Sequence, residues 1–152
     1  LAIACWAFAE FLEDDFDLLK LMQLALVHDL GEIDAGDTFL YGATRGSAHV
    51  EERECVKRLA SYPGNSISEL VETWEEQEAG VTKEAKLLKV IDRLLPFLHN
   101  MTSEGRAWRN NGITKNQVLK VHQFIEIEAP EIHVWFRSKL DYAVEQGWLA
   151  AS

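Results

Sequence analysis

"LMQLALVHDLGEIDAGDTFLYG", Leu21 to Gly42, decides how the rest of the chain is read. Its first half is a run of helix-forming apolar residues that stops at His28 and Asp29, side by side. Leu18, Leu19, Met22, Ala25 and Leu26 recur at the three- and four-residue spacing of one helix face. A helix is therefore expected over about Phe16 to Asp29, with Gly31 loosening its end. From Asp34 to Gly46 three glycines stand among short polar residues, the composition of a loop that turns repeatedly. Loops of this kind often carry function.

Outward from that stretch the punctuation is again that of helices joined by short loops. Leu1 to Leu12 reads as a helix apolar on most faces, hence expected at the centre of the core. A further helix is expected over Ser47 to Ser61, stopped by Pro63 and Gly64. Ser66 with Glu69 reads as a capping box opening a helix that ends at Gly80. "TKEAKLLKVIDRLLPFLHNM" is a long helix with Leu87, Leu88, Ile91, Leu94, Leu95 and Leu98 in register, and Pro96 is expected to kink it. Thr114 with Gln117 caps a helix to about Ile127, and Pro130 opens the last one, ending near Gly147. No alternating strand pattern competes with these assignments. The chain is expected to be all-α.

Composition narrows the function. A chain of 152 residues, 47% of them hydrophobic, suffices for one sizeable core, so residues 1–152 are expected to form a single domain. Lysine plus arginine number 15 against 25 aspartate plus glutamate, and the formal charge of −10 repels a phosphate backbone. That argues against a nucleic-acid polymer as a partner, and a small anionic substrate needs local help such as a metal. Cys5 and Cys55 are expected to be reduced core thiols. No apolar stretch reaches the length of about 18 residues that a membrane span needs. The start "LAIACWAFAEFLEDD" has neither a basic region nor a signal cleavage site. A cytoplasmic protein without membrane attachment is expected.

Imidazole and carboxylate at one helix end can turn toward a single ion, and together they suit Zn, Mn, Fe, Co or Ni better than Mg alone. A hydrolytic centre needs at least three protein ligands and an open position. Asp92 is the natural third, since it lies in "LLKVIDRLLP", where an unpaired carboxylate is costly to bury. Metal coordination removes that cost.

These residues resemble the HD-domain metal-dependent phosphohydrolases, named for a histidine, then His-Asp, then a distant aspartate. His28, Asp29 and Asp92 match the last three ligands. Glu32 and Asp37, three and eight positions after Asp29, extend the likeness to a bacterial subgroup that includes 5'-deoxynucleotidases. "LVHDLGEIDAGDTFLYG", "WEEQEAGVTKEAKLLKVIDRLLPFLHN" and "EGRAWRNNGIT" carry it from about Leu21 to Thr114. The resemblance implies a compact multi-helix bundle with a metal site between central helices, holding a divalent ion (Mn, Co, Fe, Zn or Mg). It also implies a small phosphorylated substrate, nucleoside 5'-monophosphates foremost. Cyclic nucleotides, triphosphates or alarmones are the alternative substrates, and a noncatalytic metal- or nucleotide-binding module is the alternative class. The family's first ligand is a histidine, and none precedes His28. The start "LAIACWAFAEF" resembles the residues that follow that histidine, so the N-terminal segment is expected to be missing.

The resemblance places Glu32 and Asp37 near the attacking water and the leaving group. Glu32 shares a face with His28 and Asp29 if the helix persists to it. The competing readings are a solvated helix end for Glu32 and a turn or N-cap residue for Asp37. Lys89, three residues before Asp92, is a candidate for binding substrate phosphate or for a plain ion pair with Asp92. Arg45, Arg106 and Arg109 are further candidates for gripping phosphate but are read as surface residues; His49, His99, His122 and His133 are read as surface or hydrogen-bonded ones, with His49, which follows the loop, the alternative for the absent histidine. The "WEEQE" run is read as a solvent face. The family also associates as dimers, for which the tryptophan-bearing last helices offer apolar surface, although a monomer core accounts for the same residues.

Overall fold

The computed structural model of the protein describes residues 1–12, 14–36, 40–41 and 48–152. Among them the regular structure is helical: α1 (Ala2–Leu12), α2 (Leu18–Val27), α3 (Glu32–Ala35), α4 (Ala48–Ala60), α5 (Leu70–Ala79), α6 (Lys83–Thr102), α7 (Arg106–Asn110), α8 (Lys115–His122), α9 (Ile125–Glu128) and α10 (Pro130–Glu145). The all-α expectation holds. The chain divides into two compact units, Leu1–Ile91 and Asp92–Ser152, with the boundary inside α6. No described helix is long and apolar enough to cross a membrane.

In the first unit, Asp17 starts α2 by accepting a hydrogen bond from Lys20 N at 3.0 Å, satisfying an amide at the helix end. The helix buries Leu21, Leu24, Ala25 and Val27. This corrects the expected face: Leu19 and Leu26 are about 70% exposed, at 70% and 71%. The buried positions 21, 24 and 25 instead follow the spacing that leads to His28. The first helix is also not central. It packs on α2 and buries Cys5, while Ile3, Trp6 and Phe11 stay exposed. A helix apolar all round has no single face for α2 to cover.

α4 and α5 close the unit with a core of Val27, Val56, Leu70 and Trp74, backed by Leu30, Leu59 and Val71. Each such side chain contributes about 1.5–3 kcal/mol when fully withdrawn from water. The Ser66–Glu69 capping box does not form. α5 starts at Leu70 with Glu69 at its N-cap and no side-chain cap. Asn65 holds the preceding turn, donating to Ala60 O and Ile67 O and accepting from Ile67 N. Gly80 ends α5 in the left-handed conformation, at φ 61°, as its glycine predicts.

The second unit opens on the later half of α6, which runs unbroken through Pro96. Its core gathers Leu94, Phe97, Trp108, Val118, His122, Ile125, Phe136 and Leu140. Thr114 and Gln117 form the expected reciprocal capping box on α8, and Pro130 stands in the first turn of α10. α8 stops at His122 rather than Ile127; a turn and the short α9 follow. Cys5 and Cys55 are buried free thiols, as expected. Burial pushes the Cys55 thiol up, and its Sγ donates to Leu30 O at 3.3 Å.

Candidate metal centre

α2 ends one residue before the His-Asp pair. From Val27 on, the chain tightens: Leu30 N bonds to Val27 O at 3.1 Å and Glu32 N to Asp29 O at 3.0 Å, three-residue closures instead of four. The helical geometry that would put Glu32 on the face of His28 and Asp29 is therefore interrupted, and Glu32 begins a new short helix, α3.

Gly31 makes the tight turn possible, for a reason other than flexibility. Its backbone is ordinary, at φ −64°, but a Cβ there would lie 2.5 Å from Cβ and 2.9 Å from Cα of Glu52. α4 thus passes directly over the turn. Asp34 pins α3 to it: Arg58 Nη2 donates to Asp34 Oδ1 at 2.9 Å and its Nε to Oδ2 at 3.2 Å. That guanidinium holds the Asp34 carboxyl below its ordinary value.

His28, with 17% of its side chain exposed, caps α2 and points both ring nitrogens at acceptors. Nδ1 lies 2.9 Å from Ala25 O, and Nε2 lies 2.8 Å from Asp29 Oδ2. A carbonyl oxygen only accepts, so Nδ1 carries the proton and donates it to Ala25. On a neutral ring this leaves the Nε2 lone pair facing a carboxylate oxygen. A second ring proton, or a cation bound to both, accounts for that approach. A ring nitrogen donating to a backbone carbonyl while the other faces outward is also how metal-bound histidines are oriented. The donor set fits a divalent ion.

Asp92 begins the second unit with 45% of its side chain exposed and Arg93 Nε 4.0 Å away, so the expectation of a carboxylate buried among apolar neighbours is not met. Alternate faces of α6 explain this: Ile91 and Leu94 take the core positions. Lys89 is exposed on α6. Asp37 and Arg45 lie outside the described residues.

The structure assembles a second set of donors that the sequence reading set aside. His49, Glu52 and Glu78 bring ligand atoms within 4.8 Å of one another. His49 Nδ1 meets Glu78 Oε2 at 3.0 Å, its ring stacks on Trp74 at 5.5 Å, and Glu52 is 3% exposed. The available signal was spacing: Glu52 follows His49 by one helical turn, and Glu78 follows Trp74 by one turn in the "WEEQE" segment. Of the two readings of His122, surface or hydrogen-bonded, the second holds: it is fully buried and within hydrogen-bond distance of Val118 O and Arg93 O.

Comparison with known proteins bears on the family and the fold. The family model described as HD domain matches residues 1–133. The chain is similar to the 5'-deoxynucleotidase HDDC2 of Bos taurus, with 37% identity over 76 residues, 49% of this chain and 37% of that protein. Against the protein of the same name from Homo sapiens it is 32% identical over 83 residues, 53% of this chain and 41% of that one. The chain thus spans about two fifths of the length of these curated relatives. Its fold matches the crystal structure of a predicted metal-dependent phosphohydrolase from Magnetospirillum magnetotacticum MS-1 with a TM-score of 0.86 and 33% identity, over 98% of this chain and 76% of that one.

Proposed function

This chain belongs to the HD-domain family, and from that premise we propose that it is a metal-dependent phosphohydrolase acting on nucleoside 5'-monophosphates, deoxy forms included. One observation carries the reading: His28 Nε2 and Asp29 Oδ2 face each other at 2.8 Å while Nδ1 is committed to Ala25 O. His28 and Asp29 are the proposed ligands, with Asp92 as a further one. A divalent ion held by such donors supplies an acidified water and neutralises phosphate charge. The strong negative charge of the chain supports the same view, because an anionic substrate is attracted only where a cation offsets it.

The remaining roles fall to this chain's own side chains. Glu32, at the start of α3 and held three residues from Asp29 by the tight turn, accepts or returns the proton of the attacking water. Asp37 is assigned the leaving-group oxygen. Lys89, exposed on α6, contacts the substrate phosphate. The free buried thiols support a reducing, cytoplasmic location, and a homodimer is the proposed assembly.

The test is release of inorganic phosphate from 5'- and 3'-nucleoside monophosphates with Mn2+ or Co2+ added, for the wild type and His28→Ala. Turnover of 5'-monophosphates that disappears in His28→Ala is the expected result. Release from no monophosphate defeats the nucleotidase reading, and full activity in His28→Ala defeats the metal centre.

A further inference from the structure

We propose that His122 is a positioning residue for Asp92, acting through a hydrogen bond from its Nε2–H to the backbone carbonyl of Arg93; the proposal rests on the reading of Asp92 as a metal ligand. Asp92 stands four residues before Pro96 in α6. A proline inside a helix brings no N–H to the carbonyl four residues back, and its ring crowds that carbonyl. Here the carbonyl is that of Asp92 itself. Pro96 itself therefore supplies no N–H to that carbonyl.

At the next carbonyl the protein supplies a group from another helix. His122 Nε2 lies 2.9 Å from Arg93 O, and Nδ1 lies 2.8 Å from Val118 O on its own helix, α8. The ring is fully buried, stacked on Phe136 at 4.8 Å and edge-on to Phe97 at 6.1 Å. Burial pushes its pKa down, which favours the neutral ring with one N–H. With that proton on Nε2 the ring joins α8 to α6 beside Asp92; with it on Nδ1 the ring only closes on its own helix.

Among these aromatics an apolar ring fills the same space without the cost of burying a polar one. An imidazole is therefore expected only where its hydrogen bond matters. Further along α6 the same half of the helix is tied again: buried Asn100 donates from Nδ2 to Pro96 O at 3.0 Å and accepts from Trp108 N at 3.1 Å. Side chains thus hold the segment on both sides of the proline.

Two measurements test this. Nitrogen-15 spectra of the histidine rings should show His122 protonated on Nε2. Calorimetric titration with Mn2+ should give a dissociation constant raised about 10- to 100-fold in His122→Phe, the range for loss of an outer-shell partner, and closer to wild type in His122→Gln, whose amide keeps a donor. Pro96→Ala, which returns an N–H to the Asp92 carbonyl, should shrink the His122→Phe defect in the double variant. If His122→Phe does not fold, His122→Asn, whose amide is too short to reach Arg93 O, takes its place against His122→Gln. A proton on Nδ1 overturns the proposal, as does unchanged Mn2+ affinity in a folded His122→Phe of lowered melting temperature. Unchanged Mn2+ binding in His28→Ala is a separate outcome: it removes the metal reading, and this proposal with it.

Discussion

Gly31 leaves Glu52 the space that a side chain would take: a methyl group on Gly31 would stand 2.5 Å from Cβ and 2.9 Å from Cα of Glu52. The turn holding His28 and Asp29 is thereby set by how closely α4 can approach it. Gly31→Ala must move one backbone or the other, and overpacking of this kind costs about 1–3 kcal/mol. Urea denaturation should show that loss, and Mn2+ titration should show weakened binding, because the displaced segment carries the His-Asp pair. Wild-type stability in Gly31→Ala would mean that α4 can yield without strain.

Metal removal gives the second expectation. A ligand that binds only the folded state stabilises it by about 2.7 kcal/mol at about a hundred times its dissociation constant. Mn2+ should raise the melting temperature of the EDTA-treated wild type. Asp29→Asn should lose most of that rise while its metal-free melting temperature stays close to wild type, since the side chain is 61% exposed. An equal rise in both proteins would show that Mn2+ binds elsewhere, with His49, Glu52 and Glu78 as the first place to look.

The Asp34–Arg58 pair carries a pH dependence whose sign is determined. The folded pKa of Asp34 is depressed by the Arg58 guanidinium, so the unfolded chain binds the proton more readily. The stability it contributes is present above the ordinary carboxylate pKa and is lost as the pH falls through the depressed folded value. Asp34→Asn should therefore be less stable than wild type near neutral pH, with the difference vanishing in acid. Both side chains are about half exposed, so the effect is small and salt-sensitive. Melting temperatures across an acid series check it; a difference that grows toward low pH contradicts the assignment.

Thr114 tests the other unit. Its side chain accepts from Gln117 N while Gln117 Oε1 accepts from Thr114 N at 2.9 Å. Thr114→Ala should cost about 1 kcal/mol, the usual loss for an N-cap, and leave phosphate release per folded molecule unchanged. A change in turnover would give the start of α8 a part in the site.

The features legible in the sequence were those whose physics is local. The Thr114–Gln117 box, Pro130 in the first turn of α10 and Gly80 at the end of α5 each depend on bonds within a few residues, so residue type and spacing sufficed. Ser66 with Glu69 had the same spacing and failed, because Asn65 captures the backbone of that turn first. His28 and Asp29 were legible as a pair because adjacent residues stay adjacent in any fold.

What the sequence determined by itself is therefore the helical class, most helix boundaries, and the His-Asp pair with its place at the end of an apolar helix. Tertiary structure alone decided which residues of α2 face inward, since Leu19 and Leu26 suit a helix face as well as Leu21 and Leu24 and only the neighbouring helices choose between them. It also decided the tight turn under Glu52, the meeting of His49 and Glu52 on α4 with Glu78 on α5, and the hold of His122 on Arg93 O. Each of these joins residues far apart in the chain. Periodicity reports the shape of one helix, whereas such contacts depend on the distance and rotation between two.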